Sequence, residues 1–185
     1  MNRCKIEIKG FTPYSQSKKI LSDKHKREND KDYEERTWRE RIHAGEDGIA
    51  FIPRMAIKNC LSECAKYLGM QIPGKGKNTY TKHFEAGIIP ENDISLNVHK
   101  DKVEGEWLYL HSDGQRGGKR RVFRCMPKFT EWGGEMELSI LDPAITKEVF
   151  EYHIREAGRF IGIGRWRPRN NGLYGRFDAE IIEWE

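Results

Sequence analysis

Residues 161–177 read Ile-Gly-Ile-Gly-Arg-Trp-Arg-Pro-Arg-Asn-Asn-Gly-Leu-Tyr-Gly-Arg-Phe, and this stretch decides how the chain is organised. Gly162, Gly164, Gly172 and Gly175 bracket a turn that carries Arg165, Arg167, Arg169 and Arg176 and no acidic residue. A turn of this composition cannot bury a core face. It therefore divides the elements on either side. Upstream, Val149, Phe150, His153, Ile154 and Ala157 fall on one face of a helix over Thr146–Ala157, with Gly158 as its stop. Phe160–Ile163 and Phe177–Trp184 read as closing strands.

The remaining elements follow from the same periodicities. Cys4 to Lys9 alternates apolar and charged residues, as a half-buried strand does. A helix runs from about Pro53 to Gly69, with Ile57, Leu61, Cys64, Ala65 and Leu68 as its apolar stripe. Ile94–Val98, Glu106–His111, Arg121–Met126 and Glu135–Leu141 read as four further strands, which either extend one sheet or form a separate hairpin. Residues 71–84 read as a basic loop. Helices on one face of a mostly antiparallel sheet define a two-layer α+β domain, with the ferredoxin-like split β-α-β pattern as the nearest arrangement. One domain is expected over 1–185, interrupted after the first strand by a charged insertion at 12–47. Residues 18–41 hold nine basic and seven acidic side chains and hardly an aliphatic. They form either a solvated helix with local ion pairs or a mobile excursion.

Composition narrows the classes. The 185 residues include 33 basic and 29 acidic side chains, a net charge of only +4. No apolar run approaches the 18–20 residues of a bilayer span, so no membrane partner is expected. The N-terminus lacks the apolar stretch of a secretory signal. Four cysteines at 4, 60, 64 and 125 are too sparse for a disulfide framework and lack zinc spacing. Free thiols in the cytoplasm and no metal or other cofactor are expected.

The small net charge conceals segregation. Residues 114–130 hold six basic side chains and no acid, and 159–177 hold five arginines and no acid. The last eight residues carry four carboxylates and no base. Three basic loops at 71–84, 114–121 and 164–176 suit a polyanion, because Arg grips phosphate bidentately and Gly lets backbone amides approach. Trp166 and Tyr174 in the Gly-rich turn either stack on unpaired bases or pack back onto the core. No helix carries a basic stripe suited to the major groove, so a single strand is favoured over duplex DNA. The glycine spacing fits neither a P-loop nor a dinucleotide fingerprint.

The Gly-rich turn between second helix and last strand resembles that of the RAMP superfamily of CRISPR-associated proteins, which has a ferredoxin-like, RRM-related fold. Gly48 to Asn59 (Gly-Ile-Ala-Phe-Ile-Pro-Arg-Met-Ala-Ile-Lys-Asn) is similar to the segment opening the first helix of Cas7-type backbone subunits, with Arg54 and Met55 in place of small residues. The resemblance implies a thumb or lid at 12–47 and a protein that lies along single-stranded RNA, self-associating or joining other CRISPR-type subunits. A stand-alone or decoy version is also compatible. Expected contacts are Gly162, Gly164, Arg165, Trp166, Arg167, Arg169, Asn170, Asn171, Gly172, Tyr174, Gly175 and Arg176, extended by Lys58, Lys75, Lys77, Arg116, Lys119, Arg120 and Arg121. The partner is single-stranded RNA or DNA, and no catalytic residue is assigned. Asp23, Asp30, Asp32 and Asp47 lie where some Cas7-like subunits place a cleaving acid. His25 and His43 would serve the alternative, a Cas6-type metal-independent endoribonuclease. A protein-binding adaptor is the remaining alternative.

Overall fold

The structure is a computed structural model that describes residues 1–111 and 120–185. Its first strand, β1 (Asn2–Gly10), buries Cys4, Ile6 and Ile8 on one face, as the alternation requires. It is followed by β2 (Tyr14–Ser15), α1 (Asp30–Thr37), β3 (Ile49–Ile52), α2 (Arg54–Leu68) and α3 (Thr81–Ala86). Then come β4 (Ile88–Pro90), β5 (Ile94–His99), β6 (Glu104–His111), β7 (Arg121–Phe129), β8 (Gly133–Ile140), α4 (Lys147–Glu156) and β9 (Phe177–Trp184).

β4, β8, β1 and β9 form a four-stranded sheet in that order, every pair antiparallel. The path β1–α2–β4 and β8–α4–β9 is the split β-α-β connection used twice, the ferredoxin-like order. α2 and α4 cover one sheet face. Ile57, Cys60, Leu61, Cys64 and Ala65 from α2 and Phe150 and Ile154 from α4 are buried there. Pro53 stands at the N-cap of α2, where Asp93 Oδ1 accepts from the Arg54 amide at 2.7 Å, and Gly69 closes it in the left-handed region.

The middle strands settle the open choice. Of the four, β8 lies inside the main sheet, β6 and β7 pair as a separate hairpin with β2 on the outer edge of β7, and β5 pairs with β3.

Three expectations need correction. Gly158 does not stop the second helix. The chain continues as a π-turn over Ala157–Ile161, closed by the Gly162 amide donating to Ala157 O at 2.9 Å, and Gly162 ends it at φ +67°. Phe160–Ile163 is therefore no strand. Gly158 is glycine for another reason: a Cβ there would lie 2.0 Å from Phe177 O, so β9 could not close against the helix. Residues 71–84 are also not wholly loop, because Thr81 opens α3 and Tyr80 and Phe84 are buried.

Within the 18–41 segment only Asp30–Thr37 is α-helix, followed by a 3-10 turn over Trp38–Arg41, and its main anchor is a carboxylate. Glu34 on α1 is fully buried, forms an ion pair with Arg41 and accepts from Arg41 Nη2 at 3.2 Å, from Arg124 at 3.3 Å and from the Cys125 amide at 2.8 Å. One carboxylate thereby joins the excursion to β7. Lys24–Asp30 at 2.6 Å and Arg36–Glu28 at 2.9 Å supply the exposed pairs. Trp38 and Ile42 complete a small buried seam.

His153 of α4 is fully buried, stacked on Phe84 at 4.3 Å, with its Nδ1 2.7 Å from Val149 O. Burial holds its pKa below the ordinary imidazole range, against the opposing hydrogen bond to Val149. The unfolded chain therefore takes up a proton that the folded chain refuses. This contribution is full above roughly pH 6.5, the unfolded value, and is lost as pH falls below it. Thermal unfolding scanned from pH 8 to 5 is expected to show a flat upper limb and a declining lower one. His153→Phe, which keeps the stacking, is expected to flatten the decline. An equal decline in the variant would contradict the assignment.

Candidate nucleic-acid interface

The Gly-rich turn begins where the π-turn ends and is stitched to the segment after β1. The Ile163 amide donates to Gly175 O at 3.0 Å, closing the neck of the loop. The Arg165 amide donates to Ser15 O at 2.9 Å, the Gly175 amide to Pro13 O at 2.7 Å and the Arg176 amide to Thr12 Oγ1 at 2.9 Å. Within the loop the Gly172 amide donates to Arg167 O and the Tyr174 amide to Trp166 O. The amides of Gly162, Gly172 and Gly175 are thus committed inside the protein, and side chains carry most of what the loop offers a ligand. Gly164 is the close-contact position: a Cβ would lie 2.4 Å from the Tyr14 ring and 2.5 Å from Ser15 O, at φ +76°.

Trp166 stands at the turn with φ +57°, half-buried. The Arg165 guanidinium lies 3.7 Å from its ring centroid, and the Tyr174 ring meets it edge-on at 5.5 Å. The Tyr174 hydroxyl lies 3.1 and 3.2 Å from the two oxygens of Glu106 on β6, which docks the loop against the hairpin.

Arg165 is the outlier among the loop arginines. Burial, followed by the like charge of Arg41, pushes its pKa down to about 10. Its Nη1 is buried without a hydrogen-bond acceptor, and among the described residues no carboxylate is within ion-pair distance. Arg41 is itself 8% exposed and held by Glu34. The positive charge of Arg41 is therefore felt at Arg165, and the hydroxyl of the buried Ser15, whose carbonyl accepts from the Arg165 amide, is also unpartnered.

The other candidates are placed differently. Arg167 and Arg169 both pair with Glu63 on α2, at 2.9 and 3.0 Å. The Arg176 Nε donates to Arg159 O at 3.1 Å. Asn170 and Asn171 form the exposed tip of the turn. Lys58 is buried, its Nζ donating to Phe84 O and, at 2.7 Å, to Glu85 O, so it fastens the end of α3 to α2. Lys75 and Lys77 are exposed between α2 and α3. Arg120 pairs with Asp30 at 3.2 Å, and Arg121 is exposed on β7. Arg116 and Lys119 lie outside the described residues.

A cleft of about 260 Å³ joins the Gly-rich turn to the insertion and to the start of α2, lined by Tyr14, Gln16, Lys18, His43, Ala56 and Gly164. A larger one of about 580 Å³ lies over the outer face of the main sheet, with Glu91, Glu137, Glu183 and Glu185 against Arg3 and Lys5. Across that face Glu135, Glu7 and Glu180 stand directly opposite one another on β8, β1 and β9. RRM domains read RNA on this sheet face with aromatics; here its carboxylates repel a polyanion.

The acids and histidines of the insertion are largely absorbed by local structure. Asp30 pairs with Lys24 and Arg120, Asp32 accepts from Asn29, and Asp47 accepts from the Ile49 amide at 3.0 Å. His25 and Asp23 are exposed. His43 is half-buried, and burial and then Lys18 hold its pKa low. Arg41, Ser15 and Lys18 at the interface were not legible in the sequence, since no periodicity marks them. Among the described residues no group of three or more His, Cys, Asp or Glu is placed to hold a metal ion. No described helix is long and apolar enough to cross a membrane.

A two-layer antiparallel α+β fold with a basic, Gly-rich turn beside its last strand is the class that these features define. Neither a family model nor a curated protein matches the sequence. Among solved structures, Cmr6 from Pyrococcus furiosus superposes with a TM-score of 0.50 at 12% identity, over 97% of this chain and 99% of that chain. A Cas6 product complex matches at a TM-score of 0.33 and 12% identity, over 96% of this chain and 50% of that chain. The first likeness runs end to end through both chains, and the two share a fold.

Proposed function

We propose that this chain is a Cas7-like protein of the RAMP superfamily that binds single-stranded RNA and works in a CRISPR-type assembly, with copies of itself or with other subunits. The observation that carries the reading is Arg165. A half-buried guanidinium with an orphaned N–H, no carboxylate partner and the like charge of Arg41 acting on it costs free energy that an incoming phosphate offsets. The shared fold with Cmr6 and the Gly-rich turn that resembles the RAMP loop support the same reading. Residues 12–47 act as the lid, a reading supported by Tyr14, Gln16, Ser17, Lys18 and His43, which line the cleft beside Gly164 of the turn. Arg167, Arg169 and Arg176 extend the phosphate track, followed by Arg120, Arg121, Lys75 and Lys77.

Fluorescence anisotropy with a labelled single-stranded RNA and with the same RNA annealed to its complement tests this reading. The single strand is expected to bind, and the duplex to bind at least tenfold more weakly. Equal binding of both forms would contradict it.

A further inference from the structure

The β6–β7 hairpin presents an aromatic face that neither the sequence reading nor the Gly-rich turn accounts for. Trp107 and Tyr109 on β6 alternate with half-buried neighbours, and Tyr109 stands directly opposite Phe123 on β7. The three side chains are 43%, 56% and 55% exposed. Tyr109 and Phe123 lie side by side, centroids 5.0 Å apart and planes tilted by 43°. Side chains alternate across a strand, so Leu108, Leu110 and Val122 point to the other face. The exposed face carries the aromatic rings and the His111–Arg121 pair, and it closes at the buried Cys125 opposite Trp107. A shallow cleft of about 270 Å³ runs beside Tyr109 and Phe123, lined also by Lys31, Val122, Arg121 and the paired Asp30 and Arg120, which leaves Arg121 as its unpaired arginine among the described residues.

We infer that this face is a base-stacking platform, on which Trp107, Tyr109 and Phe123 take the faces of unpaired bases while Arg121 meets the backbone phosphate. The inference rests on the reading of the chain as a single-strand binder and adds a second contact surface to the Gly-rich turn. Rings that offer open π-faces beside cationic side chains are what sequence-tolerant stacking requires. A protein partner is the less suited occupant. Three aromatic side chains of about 150–250 Å² each, half exposed, supply well under the roughly 800 Å² per partner of a stable interface.

The test uses the full chain with Tyr109→Ala/Phe123→Ala and a fluorescein-labelled oligouridylate of twelve nucleotides. An abasic ribose-phosphate oligomer of equal length serves as the probe without bases. Alanine substitution at a stacking position weakens binding by about 1–3 kcal/mol per base, roughly 5- to 150-fold. The double variant is expected to lose at least that on oligouridylate. It should match the wild type on the abasic oligomer and keep the wild-type salt slope, because no phosphate contact is removed. Tyr109→Leu/Phe123→Leu, which keeps the apolar area, is expected to lose affinity as well, and Tyr109→Trp to retain it.

A double variant that binds oligouridylate as tightly as a binding-competent wild type overturns the platform and leaves the Gly-rich turn untouched. Unchanged RNA affinity with loss of self-association in size-exclusion chromatography assigns the face to a protein contact and also overturns it. A wild type that binds no single strand overturns the functional reading itself, and the platform with it.

Discussion

Arg165→Ala is expected to weaken single-stranded RNA binding by about 10- to 100-fold while leaving the free protein at least as stable as the wild type. A charge-assisted hydrogen bond contributes about 1.5–3 kcal/mol, and each 1.4 kcal/mol is tenfold in affinity. The stability side follows from what Arg165 lacks. It has no carboxylate partner among the described residues, and its charge is half-buried against Arg41. Deleting it removes a like-charge contact, at the loss of its stacking on Trp166. Arg167→Ala and Arg169→Ala should each cost less, because both guanidiniums must first be drawn from Glu63 before they meet phosphate. Anisotropy titrations with thermal unfolding on the same preparations check both halves. A variant with reduced affinity and an equally reduced melting temperature would assign Arg165 to folding, not to binding.

Glu34→Ala is expected to be the most damaging substitution for stability. Its carboxylate is fully buried and satisfies Arg41, Arg124 and the Cys125 amide together. Removing one partner of a buried pair leaves an uncompensated charge and costs about 3–5 kcal/mol. For a chain of this length that lowers the melting temperature by roughly 6–20 °C. The damage should concentrate where α1 meets β7, so hydrogen exchange is expected to rise at Cys125 before it rises in β1. Glu34→Gln, which keeps an acceptor but not the charge, should fall between the two. A Glu34→Ala protein within 1 kcal/mol of the wild type would show that the excursion is anchored by its aromatic seam instead.

How much of this was legible in the sequence depends on what each residue packs against. α2 and α4 declared themselves because their stripes repeat at three and four over more than two turns. β8 did so because Met136, Leu138 and Ile140 alternate with Glu135, Glu137 and Ser139. The Gly-rich turn was placed correctly between the second helix and the last strand, and its composition pointed to an anion. The hidden features all depend on partners distant in the chain. Gly158 reads as a helix stop, yet its lack of a side chain admits Phe177 O. β4, only three residues long and ending in proline, is a strand solely because β8 pairs with it. α1 looks solvated because its anchor is a carboxylate, and only the arrival of Arg41 and β7 makes burial of Glu34 affordable. The sheet face was likewise unreadable, since the row Glu135–Glu7–Glu180 exists only once the register is known.

Charge segregation links the fold to the proposed function. The net charge of +4 averages an acidic sheet face against basic stretches of sequence. On the proposed function, an RNA strand is expected to avoid the acidic sheet face and to meet the turn and the hairpin. The central claim is that phosphate neutralisation by these loops drives binding. Its most direct test is the dependence of single-stranded RNA affinity on salt between 50 and 300 mM, on the order of the range where counterion release dominates. Each neutralised phosphate of a single strand contributes about −0.7 to the slope of log affinity against log salt. Three or more such contacts predict a linear dependence of about −2 or steeper, reduced by roughly 0.7 in Arg165→Ala. A slope near zero, or a slope unchanged by Arg165→Ala, would contradict the account.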